Sequence, residues 1–382
     1  MLTVADSNNP FAAEAFSAFG EVRLLPHGEI TREVLKDADI LACRSTIKVN
    51  ADLLDGTAVK YVGTATIGTD HLDTAYLDAR GIRHCNAPGC NADSVADYTT
   101  AALLLAGQRL GITLEGKTLG VIGCGNVGSR VVKRAQALGM TVMENDPPLA
   151  RKTGDTRYRP LGELLGADFI TLHTPLTKEG EDKTYHLIDE NFFTHLRPGA
   201  IFINAARGAV VDTAALMSAL AKQRIAAALL DVWEGEPSPD PALLAKVLLG
   251  TPHIAGHSFE GKVNGTMGIY RQVCEWVGAT PTFDPTPLLP PTEVATLALD
   301  CANRTDEDVI RRAVFAVYPI LEDDARYRES QKADDSKIRA TGFSALRNMY
   351  PGRREFRWTT LSLKNASPTL VAKLRGLTFQ TQ

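Results

Sequence analysis

Short apolar runs separated by stretches of helical spacing recur along most of the chain. Over residues 1–97 the runs are LTVAD, EVRLLP, ADILACRS, YVGTATIGTD and GIRHCNAP, with a helical pattern from Pro10 to Phe19. Strands alternating with helices predict a parallel, doubly wound sheet, whose ligands bind beyond the carboxyl ends of its strands. A long helical pattern from Ser94 to Leu110 then leads into a second α/β series, with strands in ADFITLHTPL, AIFINAARGAVVD and AAALLDVWEGEP and TPHIAGHS following at a similar interval. A second long helical pattern, Val263 to Val277, leads away again. Leaving by one long helix and returning by another predicts two lobes with a cleft between them, 1–97 with 256–284 and 98–255. Five prolines between Pro281 and Pro291 mark a linker into a third region, 285–382. There VATLALD and WTTLSL read as strands open to pairing across a dimer, TDEDVIRRAVFAVYPIL as one helix, 322–337 as a charged loop, and the stretch after Ser367-Pro368 as a last helix.

The second series opens with KTLGVIGCGNVGSRVVKRAQALGMTVMEND, residues 117–146. It reads as a strand ending at Ile122, a turn carrying Gly123, Gly125 and Gly128, a helix stopped by Gly139, and a strand closed by Asp146. Glycines at that spacing let the backbone turn sharply and approach a pyrophosphate at the helix N-terminus. An acidic residue about 20 positions on accepts hydrogen bonds from ribose hydroxyls and repels a 2′-phosphate, so the cofactor is expected to be NAD rather than NADP.

Arg207, Glu236 and His253 lie just beyond successive predicted strands of this series. Taking a hydride from a hydroxyl-bearing carbon requires a base for the hydroxyl proton, and an imidazole suits that near neutral pH. A carboxylate fixes the tautomer of such an imidazole, and an arginine takes a substrate carboxylate with two parallel hydrogen bonds. Arg44-Ser45-Thr46 and Thr64-Ala65-Thr66 fall at strand ends of the first series, as substrate contacts or simply as strand-end polar groups. His257 is a rival base; it stands four residues from His253, but Pro252 and Gly256 argue against the helix a metal-binding pair would need, and no metal is expected. His71, His84, His173, His186 and His195 have no comparable partner in the sequence.

The net charge is −4 with no long basic block, which argues against nucleic acid or a membrane surface as a partner held by bulk charge. Six cysteines without zinc spacing suit reduced, buried thiols. No signal-like or membrane-spanning stretch stands out, and a cytoplasmic location is expected.

NAARGAVVD, LLDVWEGEP and TPHIAG resemble signature segments of the D-isomer specific 2-hydroxyacid dehydrogenase family. The resemblance implies a Rossmann-type NAD-binding domain (98–255) inserted in a discontinuous flavodoxin-like substrate domain (1–97 and 256–284). It gives Arg207, Glu236 and His253 the catalytic roles, with His253 as proton donor and acceptor, and places NAD near Asn126, Val127, Asp146, Thr174, Ala205, Asp231 and Gly256. ACRSTIKVN, YVGTATIGTDHLD, NAPGCNADSVADY, YPILEDDARYRE and ALRNMYPGRREF are most similar to one branch of the family, which oxidises 4-phosphoerythronate on the way to pyridoxal 5′-phosphate. That branch implies substrate contacts at Ser45 and Thr66, a contact at His257 where it carries tyrosine, and a homodimer formed through an α+β C-terminal domain, 285–382. Arg44 and Ser45, with Lys48 and the tail arginines Arg347, Arg353 and Arg354, are candidates for the substrate phosphate. A phosphoglycerate or hydroxypyruvate type of activity, or a non-catalytic NAD-sensing scaffold, are the alternative readings.

Overall fold

The computed structural model describes residues 1–382, which divide into two compact units: Met1–Ala92 with Ser258–Pro291, and Asp93–His257 with Thr292–Gln382. In the first unit, β1 (Leu2–Asp6), β2 (Glu21–Leu25), β3 (Ile40–Cys43), β4 (Tyr61–Thr64) and β5 (Arg83–Cys85) pair in parallel in the order β2-β1-β3-β4-β5. All five apolar runs of the first series are therefore strands, and β3 and β4 are buried along their whole length, as central parallel strands must be. The long helix Phe259–Val277 starts where the Ser258 side chain accepts a hydrogen bond from the Gly261 N–H, 2.9 Å. It lies directly on β4: a Cβ on Gly63 would stand 2.3 Å from Ile269.

The second unit holds β6 (Thr118–Ile122), β7 (Thr141–Asn145), β8 (Phe169–Leu172), β9 (Ala200–Asn204), β10 (Ile225–Leu230) and β11 (Leu249–Gly250), all parallel in the order β11-β10-β9-β8-β6-β7. The chain runs outward from β6 to β7 and then returns to the other side of β6 at β8. That reversal is the switch point at which doubly wound sheets bind nucleotides. TPHIAGHS is not a strand; the sixth strand is the short β11 just before it, and 251–258 form the loop at its carboxyl end.

The C-terminal region packs into both faces of this unit. Val309, Ile310, Phe356 and Leu374 join the core on one face, and Tyr327 and Phe343 join Trp233 in the core on the other. Its strands β12 (Thr296–Asp300), β13 (Thr360–Lys364) and β14 (Gln380–Thr381) pair in parallel with one another, a three-stranded sheet within the chain where the sequence predicts two strands. The helix Asp306–Val317, capped by Thr305, stops before Pro319. The expected charged loop is a helix, Ile320–Ser330, followed by the start of a second, Ser336–Asn348. The charges there are helix-forming: Glu322 pairs with Arg326 and Asp324 with Arg328 at i,i+4, while Ile320, Asp323 and Tyr327 make the buried stripe.

Candidate active site

Because every strand of the second sheet runs the same way, the residues after β6 to β11 share one edge. At the end of β6, Gly123 has φ +87°, and a Cβ on it would meet His173 and Thr174 within 2.9 Å. Gly128 touches the turn itself, since its Cβ would stand 1.9 Å from the Gly123 carbonyl oxygen. Gly125, by contrast, has nothing within 4 Å and leaves the approach to the turn open. Asn126 and Val127 begin the helix Asn126–Ala137, whose first N–H groups point to that space. Asp146, after β7, accepts hydrogen bonds from Cys124 N (2.8 Å) and Leu149 N (3.0 Å), so it braces the glycine turn and caps the next helix. Thr174 follows β8, and its hydroxyl is buried without a hydrogen-bond partner. Ala205 follows β9. An open glycine turn, a helix N-terminus, an acidic residue at the end of the second strand and an unsatisfied hydroxyl together fit a dinucleotide.

Arg207 sits beyond β9 on a turn shaped by buried Asn204, which accepts from Ala206 N (3.0 Å) and donates to Arg207 O (3.1 Å). Gly208 then passes so close to the β10 loop that a Cβ would lie 1.9 Å from the Trp233 carbonyl carbon. Backbone cannot yield as a side-chain tip can. Gly208→Ala is expected to lower the melting temperature by the equivalent of about 1–3 kcal/mol and to reduce turnover, because Arg207 and Glu236 flank the contact; a thermal melt and a rate assay check both.

Glu236 and His253 meet on loops after β10 and β11. His253 Nδ1 lies 2.8 Å from Glu236 Oε2, while Glu236 Oε1 accepts from Trp233 N at 2.8 Å. Burial works to raise the Glu236 carboxyl, but the charge and hydrogen bond of His253 and the Trp233 N–H hold it below the usual range, with Arg347 contributing. An ionised carboxylate can only accept, so Nδ1 carries the proton, and in the neutral imidazole Nε2 then presents a lone pair. His253 itself adopts a left-handed backbone, φ +57°. Its loop is held by Asp231, which is 1% exposed and accepts from Thr251 Oγ1, Ile254 N and Ala255 N at 2.7–2.9 Å. Burial pushes the Asp231 carboxyl up, against the pull of His253 and these bonds. Asp231 is thus the anchor of the histidine loop, a role that no local sequence signal marks.

The Ala255 carbonyl is gripped from the other side by the Ser94 hydroxyl (2.8 Å) and by the guanidinium of Arg353 (2.8 Å). Arg353 also donates to Ser94 O and lies 4.1 Å above the Tyr318 ring, with Asp97 4.0 Å away. It is therefore built into the fold, and the expectation that it reaches the substrate phosphate is corrected. Gly256 and His257 close the loop, the His257 ring standing edge-on to Tyr350, 5.9 Å between centroids.

The remaining histidines separate by environment. His173 and His71 bond to Thr171 and Thr64, and burial pushes them down to about 3 and about 4, so both stay neutral and neither serves as a base near neutral pH. His186 has a partner after all: its Nε2 is 2.7 Å from Glu234, the neighbour of the β10 loop's Gly235. The pairing spans 48 positions and carries no sequence signal.

In the first unit, Arg44 and Ser45 follow β3, and Thr66 follows β4 with its hydroxyl 2.8 Å from that of Thr64 and 2.9 Å from Gly68 O. These three also share a carboxyl edge, as their strand ends predicted. Lys48 is exposed.

Known proteins resemble this chain along most of its length. Residues 98–255 match the family model for the NAD-binding domain of D-isomer specific 2-hydroxyacid dehydrogenases, and 288–377 match a domain of unknown function. The chain is 45% identical over 367 residues to an erythronate-4-phosphate dehydrogenase of Salinibacter ruber, covering 94% of this chain and 93% of that protein. It is 44% identical to one of Azotobacter vinelandii over 99% of both chains. Among solved structures, NAD-bound 3-phosphoglycerate dehydrogenase of Entamoeba histolytica is similar with a TM-score of 0.63 and 26% identity, covering 73% of this chain and 95% of that one. D-lactate dehydrogenase of Aquifex aeolicus, complexed with NAD and lactic acid, has a TM-score of 0.59 at 27% identity, covering 73% of this chain and 96% of that one.

Proposed function

This chain belongs to the erythronate-4-phosphate dehydrogenases, within the D-isomer specific 2-hydroxyacid dehydrogenases, and from that premise we propose how its residues perform the reaction. The protein is an NAD-dependent dehydrogenase that oxidises C2 of 4-phospho-D-erythronate to the 2-oxo acid, in the synthesis of pyridoxal 5′-phosphate. NAD, when bound, accepts the hydride from C2. His253 takes the hydroxyl proton on Nε2 as the carbonyl forms, and returns it in the reverse direction. Glu236 fixes the tautomer and stabilises the imidazolium that results. Arg207 binds the C1 carboxylate and polarises the forming carbonyl. Ser45, Thr66, Arg44 and His257 contact the remainder of the substrate. The observation that carries this reading is the Glu236–His253 pair, 2.8 Å apart, on the sheet edge that also bears the glycine turn. Following NADH absorbance with 4-phosphoerythronate as sole substrate, and 3-phosphoglycerate in parallel, tests it: turnover of the second but not the first would move the chain to another activity of the family.

Asp146 sets the cofactor preference by charge. Asp146→Ala would also remove the helix cap, worth about 1 kcal/mol, so asparagine is the cleaner probe. Asp146→Asn is expected to keep the helix cap on Leu149 N while giving up the bond to Cys124 N, and to narrow the ratio of NAD to NADP turnover; an unaltered ratio would remove Asp146 from that role.

The chain forms a homodimer through its C-terminal region. Of the eight exposed large apolar side chains, Leu288, Leu321, Ile338 and Met349 lie there, which is where a contact surface would need them. Light scattering tests the stoichiometry. A cytoplasmic location suits six free thiols.

A further inference from the structure

A cation in the first unit lies where three effects all oppose it. Lys262 is the fourth residue of the helix Phe259–Val277, at the end where the helix dipole disfavours positive charge. Its side chain is half-buried; burial first, and the positive charge of Arg44 second, push its ammonium down to about 8. No carboxylate contributes to offset either effect.

The backbone brings the segments that carry the two cations to one edge. Three residues after Lys262, Gly265 presses on the loop following β4: a Cβ there would stand 2.5 Å from Ala65 O. That loop is tied to the end of β3 by Ala65 N donating to Cys43 O, 2.9 Å, and Arg44 is the next residue. One helical turn before Gly265, on the same face, Lys262 is thereby carried to the carboxyl edge that holds Arg44, Ser45 and Thr66. The close approach is possible only because residue 265 has no side chain.

A doubly charged anion bound there offsets all three costs, because it attracts both cations and the helix N-terminus. The geometry points to Lys262 and Arg44 as the pair that receives the phosphate monoester end of the substrate, with the exposed Ser45 hydroxyl as a further donor. This rests on the reaction proposed above and adds to it the residue that distinguishes a phosphorylated hydroxy acid from its dephosphorylated counterpart. A dianion matches two cations in charge, and its three terminal oxygens accept from both without competition. The tail arginine Arg353 is excluded from this task by its contacts with Ser94 and Ala255.

The test compares Lys262→Met, which keeps the apolar stem, with Lys262→Arg and the unaltered protein. The readout is the ratio of kcat/KM for 4-phospho-D-erythronate to that for D-erythronate. Loss of one charge-assisted contact is expected to reduce the ratio about 10- to 100-fold in Lys262→Met, with Lys262→Arg retaining most of it. A purely structural lysine would depress both substrates together and leave the ratio in place, and that result overturns the assignment. Calorimetric titration with inorganic phosphate gives a second readout that needs no turnover. Binding weakened in Lys262→Met supports the subsite; equal binding in the two proteins, with NADH binding intact, overturns it. If the unaltered protein does not oxidise 4-phosphoerythronate at all, it is the reaction that is wrong, and the phosphate titration still decides the subsite.

Discussion

Glu236→Gln is expected to lower kcat by on the order of 10³- to 10⁴-fold, the scale seen when a tautomer-fixing carboxylate is replaced by its amide. The two oxygens of Glu236 face two donors, His253 Nδ1 and Trp233 N, each at 2.8 Å. A glutamine can satisfy Trp233 with its carbonyl, but then its NH2 faces Nδ1. The imidazole responds by placing its proton on Nε2, where the substrate hydroxyl must be deprotonated, and the base is lost without loss of shape. NADH binding and the melting temperature should change little. A variant that keeps more than a tenth of the rate would remove Glu236 from the mechanism. The pH dependence follows from the lowered Glu236 carboxyl. Its contribution to stability is full above the usual glutamate range and is lost only as pH falls through the lower, folded-state value. An acid-side fall in rate between neutrality and the usual glutamate range therefore belongs to a group other than Glu236.

Arg353→Ala is expected to destabilise the protein by about 3–5 kcal/mol, the range for removing one member of a buried charged network. It should also reduce kcat about 100-fold, as small misplacements of a catalytic group do. Arg353 has a side chain only 7% exposed, and it lies between the tail and the loop of His253. Its guanidinium reaches Ser94 and Ala255 while stacking on Tyr318, and Asp97 nearby is bonded by Phe356 N, 3.1 Å. Burial pushes Asp97 up to about 6, with Arg134 and then Arg353 pulling it down. Removing Arg353 takes away one of those cations and one of the two donors on the Ala255 carbonyl. Urea unfolding and steady-state rates on the same preparation check both effects. Wild-type stability would show that the tail contributes packing alone.

Much of the site is legible in the amino-acid order alone. The glycine turn, Asp146 and the succession Arg207, Glu236, His253 stand out because a parallel α/β sheet brings successive strand ends to one edge, so chain order becomes spatial order. The tail is less legible. Its charged stretch 322–337 reads as a solvent-exposed loop because acidic and basic residues alternate there, and the buried stripe of Ile320, Asp323 and Tyr327 includes a carboxylate. Asp323 is tolerated inside because Tyr350 OH donates to it at 2.8 Å and Arg326 pairs with it. Both partners depend on how the tail folds back.

The order of residues sets what is local: the period of the apolar runs, the turn that only glycine allows at Gly123, and side chains suited to hydride and proton transfer at the strand ends. These depend on backbone sterics and on neighbours within a few positions. Which groups meet across long separations is a matter of the folded path. It sets Asp231 against the histidine loop, Arg353 against Ala255 over 98 positions, and the helix of Lys262 against the loop after β4. Hydrogen bonds and charge pairs act over a few ångströms in space and leave no period along the chain, so only tertiary packing brings them into view.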